Sequence, residues 1–106
     1  MNPHEKIQSI VDCIDKFAYL DAKLTALETY KSAIKAIEMK NSSQPSIAGK
    51  EMDALASDAF LGYIEQLEEI KRQHTAMKLN IETAKISIEV WRSEQATNRT
   101  IDKITR

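Results

Sequence analysis

Residues 60–91 read FLGYIEQLEEIKRQHTAMKLNIETAKISIEVW, and their spacing decides the fold class. Phe60, Tyr63, Leu67, Ile70, His74, Met77, Ile81, Ala84, Ile88 and Trp91 step by three and four in strict alternation. These are successive a/d pairs of a heptad, the pattern that keeps one helix face against a partner helix. No proline follows Pro45, so the pattern predicts one helix over about 47–104. Upstream, Ile7, Ile10, Ile14, Phe17, Leu20, Leu24, Leu27, Tyr30, Ile34 and Ile37 recur at steps of three and four, which predicts a first helix over about 3–40. Asn2 is placed to cap it, Pro3 suits the first helical position and Glu5 stands where a capping-box acid belongs. Asn41-Ser42-Ser43-Gln44-Pro45-Ser46 supplies the break, a loop over 41–46 with Ser46 as the next cap.

The expected fold is therefore all-α, a single domain over 1–106 made of two long antiparallel helices. Pairing them about Pro45 sets residues whose numbers sum to roughly 91 opposite one another. Leu24 then meets Leu67, Leu20 meets Ile70, Phe17 meets His74, Ile14 meets Met77 and Ile10 meets Ile81. Each arm of this coiled-coil-like hairpin is about 55 Å long. Two features do not fit inside it. Residues 92–106 project past the start of the first helix, and Leu79, Ile86 and Val90 form a second apolar row at heptad positions f and c. A two-helix hairpin buries one stripe per helix, rarely enough to offset chain entropy. Self-association into a multi-helix bundle is the expectation. Leu79, Ile86 and Val90, with Ile101 and Ile104 one turn apart in the tail, are the candidate partner-binding residues.

Composition agrees with this and removes other classes. The chain has 106 residues, one domain's worth, with two glycines and two prolines, too little turn material for a sandwich or barrel. Apolar residues make up 42% and charged residues 29%, which argues against both a disordered tail and a membrane span. The net charge of −1 argues against a globally basic nucleic-acid binder. A lone Cys13 has no internal disulfide partner, and the polar N-terminal stretch lacks a secretory signal's apolar run, so a cytoplasmic protein is expected.

Catalytic chemistry finds little to stand on. His74 interrupts an apolar seam, but its helical neighbours Ile70, Lys71, Met77 and Lys78 offer no ligand set, and the Glu-x-x-His pair of di-iron bundles would need an acid where Lys71 stands. His74 is expected to fix register. His4 reads as a surface residue of the first turn. Cys13 lies between Asp12 and Asp15, charges that disfavour a thiolate. Glu65, Glu68 and Glu69 read as a solvated face. No phosphate loop, nucleophile elbow or metal motif is present, so no enzyme, cofactor or metal is expected.

Charge changes sign along the second helix. Residues 50–91 carry five basic and eight acidic groups, residues 92–106 four and two. Trp91, Arg92, Arg99, Lys103 and Arg106 therefore form an alternative site, for single-stranded nucleic acid, in which the indole stacks and the cations meet phosphate. The stretch Val90-Trp91-Arg92-Ser93-Glu94-Gln95-Ala96-Thr97-Asn98-Arg99, with Ala56-Ser57-Asp58-Ala59-Phe60, resembles small helical proteins encoded by tailed phages and prophages of proteobacteria. The likeness covers mainly the second helix. It implies a phage-type accessory protein in the host cytoplasm, and some such proteins lie beside recombination or single-strand-binding genes. The small secreted type VII hairpins carry Trp-x-Gly in their turn, where this chain has Ser42-Ser43-Gln44-Pro45.

Overall fold

Residues 2–105 are described by a computed structural model. It is all-α: α1 spans Pro3–Lys40, α2 Ile47–Ala56 and α3 Asp58–Thr105, with no strand among the described residues. Among them, too, no helix is long and apolar enough to cross a membrane.

The helix ends follow local chemistry. Asn2 Oδ1 accepts from the His4 amide at 2.9 Å and starts α1. Ser46 caps α2, its Oγ accepting from the Gly49 amide at 3.0 Å. A Cβ on Gly49 would stand 3.0 Å from both Gln44 Cβ and Ser46 Oγ, so glycine suits this close turn.

The single helix expected over 47–104 is instead two, parted at Ser57. The serine backbone is extended (φ −67°, ψ 149°), its amide and Oγ both donate to Ala54 O, and Oγ accepts from the Phe60 amide at 3.2 Å. One hydroxyl thus closes α2 and opens α3. The physical reason lies in which residues turn inward. Extending the α3 spacing backwards in an unbroken helix would place Ala56 and Asp53 on its inner face. The break buries Ala54 instead, at 0% exposure, and frees Asp53 to accept from Ser42 Oγ at 2.5 Å.

The chain divides into two compact units, residues 19–74 and residues 1–18 with 75–106. In the 19–74 unit, Leu27, Phe60 and Tyr63 form the buried cluster, with Ile34, Ile64, Leu67 and Ile70 packed against it. The Phe60 and Tyr63 rings lie 5.9 Å apart, and the Tyr63 hydroxyl donates to the Leu27 carbonyl. Lys35 pairs with Glu51 at 3.7 Å and Asp21 with His74 at 2.9 Å, so contacts step back along α1 as they advance along the chain.

In the other unit Ala84 is the one buried hydrophobic side chain among the described residues. In the same unit Ile10, Cys13, Phe17, Met77, Ile81, Ile88 and Trp91 are half-buried, and Ile10, Cys13 and Ile81 line one groove with Ala84.

Every residue of the expected α3 seam, from Phe60 to Trp91, is buried or half-buried. The α1 face differs from expectation. Ile7, Ile14, Tyr30 and Ile37 are exposed, while Ile10, Cys13, Phe17, Leu20, Leu24, Leu27 and Ile34 turn inward. The inward set holds the heptad spacing; the longer apolar list contains consecutive steps of three, which run ahead of a straight seam.

Candidate functional site

The apolar row of α3 is left without cover inside its own unit. Leu79 is 54% exposed, Ile86 64%, Val90 52%, Ile101 51% and Ile104 78%. At about 100° per residue these side chains fall on one side of the helix, opposite the inward seam. The structure adds what fills the gaps between them. Leu79, Thr83, Ile86, Val90, Ser93, Thr97, Thr100 and Ile104 are all exposed and step by four and three without exception. None is charged. α3 thus carries two heptad seams, one satisfied and one open, and the threonines and serine that complete the second are what a search for apolar residues alone passes over. A shallow groove runs along this row past Lys85, Glu89 and Glu94.

A second open row lies on α1. Ile7, Val11 and Ile14 are about half-exposed, at i, i+4 and i+7. Their spacing was the available signal, since a helix face already supplied by Ile10 and Phe17 cannot also take them in.

The alternative set is partly brought together. Arg92 and Arg99, seven residues apart, share a side of α3, about 160° round the helix from the open row. Arg92 Nη1 is held by Glu89 Oε1 at 3.1 Å, and Arg99 Nε donates to Gln95 O at 3.4 Å. Lys103 lies in the last turn of α3. Trp91 is half-buried on the seam side, and it lines one shallow groove with Arg92, Arg99, Glu89 and Gln95. Arg106 lies outside the described residues.

Several ionisable groups elsewhere are paired. His74 Nε2 meets Asp21 Oδ1 at 2.9 Å, an ion pair whenever the imidazole is protonated. Lys71 Nζ stands 3.8 Å from Glu28 Oε1. Glu69 accepts from Gln73 at 2.8 Å and from Arg72, and these bonds hold its carboxyl below the usual glutamate range. Cys13 lines a groove with Lys6, Ile10, Asn80 and Ala84. No group of three His, Cys, Asp or Glu side chains converges as a metal site would require, among the described residues. What the surface can do chemically is bury apolar area against another helix. Compared with protein-family models, curated proteins and solved structures, this chain matches none.

Proposed function

We propose that this chain is a non-catalytic helical hairpin that assembles into a multi-helix bundle and acts by holding a protein partner. The observation that carries this is the open row Leu79, Ile86, Val90, Ile101 and Ile104, each at least half-exposed on one helix face. Burying such side chains is worth roughly 1.5–3 kcal/mol each, enough to drive association with a like surface. The resemblance of residues 90–99 to phage and prophage proteins supplies the setting, an accessory factor in the host cytoplasm. Sedimentation equilibrium at micromolar concentration tests the reading. A dimer or larger species is expected, and a clean monomer overturns it.

The second reading, a single-stranded nucleic-acid accessory of phage recombination or replication, draws on Arg92 and Arg99 sharing one side of α3. The Glu89 carboxylate beside Arg92 weakens it, because a phosphate would have to displace that partner. Titrating an oligonucleotide against Trp91 fluorescence separates the two. No binding is expected at physiological salt. Micromolar quenching that is lost in Arg92→Ala, Arg99→Ala and Lys103→Ala together would favour nucleic acid.

A further inference from the structure

We propose that the open row of α3 is covered by the same row of a second copy, the two α3 helices running antiparallel across a two-fold axis near residues 91–92. This rests on the self-association proposed above and adds its face, direction and register.

Surface area is the first support. The chain exposes 8059 Å², whereas folded monomers of 12.0 kDa expose about 6,000 Å². The excess is about what a permanent dimer removes from each partner, roughly 1,000–2,500 Å². Among its described residues, the unit of residues 1–18 and 75–106 buries one hydrophobic side chain, Ala84, and it carries the whole open row.

Charge sets the direction and register. With the open row as the dimer seam, Glu82, Glu89 and Lys103 flank it on one edge and Glu94 on the other. Parallel helices would bring Glu89 against Glu94 of the second copy, twice by symmetry. Antiparallel helices put like edge against like edge. If residue numbers across the seam sum to 183, Leu79 meets Ile104, Ile86 meets Thr97 and Val90 meets Ser93 of the second copy. Glu82 then flanks Lys103 of that copy, again twice. Sliding by one heptad to a sum of 176 sets Glu89 against itself across the axis and leaves Ile104 uncovered. Sliding the other way to 190 sets Glu94 against itself across the axis. The sum of 183 covers both ends of the row and meets no like charge.

Cross-linking tests this directly. In a Cys13→Ser background, chains carrying Ile86→Cys and chains carrying Thr97→Cys are oxidised separately and as a mixture, and their mass is measured by sedimentation under reducing conditions. Both sites are exposed, so helicity by circular dichroism should be unchanged. The expected result is a dimer whose disulfide forms in the mixture and not in either chain alone. A disulfide from the Ile86→Cys chain alone signifies parallel packing and overturns the proposal. A dimer with no cross-link in the mixture overturns this pairing while leaving self-association standing, and a monomer overturns both. Charge exchange gives a second reading: Glu82→Lys should weaken the dimer about fivefold, as two lost exposed pairs imply, and adding Lys103→Glu should restore it. No change in Glu82→Lys would overturn the register.

Discussion

Tyr63 shows how much one atom can hide from a sequence. As a d-position residue its ring was legible, and it is buried at 4% exposure. Its hydroxyl reaches the Leu27 carbonyl, an acceptor 36 positions away that no spacing rule reveals because every residue has a carbonyl. Tyr63→Phe keeps the ring and removes the bond, so urea unfolding should show a loss of about 0.5–1.5 kcal/mol with an unchanged slope. An unchanged midpoint would mean the bond is replaced by water at no cost. Gly62, one position earlier, points the other way. It lies within α3, and a Cβ there would meet nothing within 4 Å. Gly62→Ala should therefore stabilise the protein by about 0.5–1 kcal/mol, by restricting the unfolded chain and favouring the helix. His74 was legible as the polar break in the seam, but its partner Asp21 was not. Asp21 is exposed and can regain water, whereas a leucine at 74 would bury apolar area. His74→Leu is expected to raise the thermal midpoint, since a pair whose carboxylate partner stays solvated returns at most about 1 kcal/mol. A fall in that midpoint would show that the histidine contributes more than the pair.

At the scale of elements, strength of pattern decided what could be read. The α3 seam was legible because each inward step is three or four in turn, and from Gln66 to Lys78 no other large apolar residue lies beside it. In α1 the half-exposed row Ile7, Val11 and Ile14 mingles with the true seam, and Cys13, a small residue, holds the inward position that Ile14 was expected to fill. The break at Ser57 carried its own signal, a serine and an aspartate directly ahead of an apolar run, the usual start of a helix. The absence of proline or glycine at that point obscured it. Since the Ser57 hydroxyl serves both helix ends, Ser57→Ala should cost about 1 kcal/mol, within the 0.5–2 kcal/mol of lost caps. Ser57→Asp, which keeps an acceptor for the Phe60 amide, should recover part of that loss. Equal destabilisation by both would show that the bond to Ala54 O carries the effect. The open row was half-legible for a related reason: its apolar members stood out, and its threonines, neutral in character, did not.

For the whole molecule the gradient of burial matters most. Among the described residues, Leu20, Leu27, Ala54, Phe60 and Tyr63 are buried in the 19–74 unit, and Ala84 alone in the other. Local opening follows buried contact, so amides near Ile86 and Val90 should exchange with solvent faster than those near Leu27 and Tyr63. Raising the protein concentration should slow the first group and leave the second nearly unchanged, because association stabilises what it covers. Uniform exchange across both units, or no response to concentration, would count against an interface on α3. Composition and periodicity carried the all-α class and the open surface. They could not carry the partner's identity, since an uncharged apolar row is complementary to many helices. The aromatic residues are sorted along the same division. Tyr19, Tyr30 and Tyr63 all fall in residues 19–74, and the single tryptophan, Trp91, falls in the other unit. An unlabelled sample thus holds two separate optical probes: tryptophan emission, excited at the red edge of its absorption, reports one unit, and tyrosine derivative absorbance reports the other. Melting one cuvette at two wavelengths can then show whether the units unfold in a single step or in two.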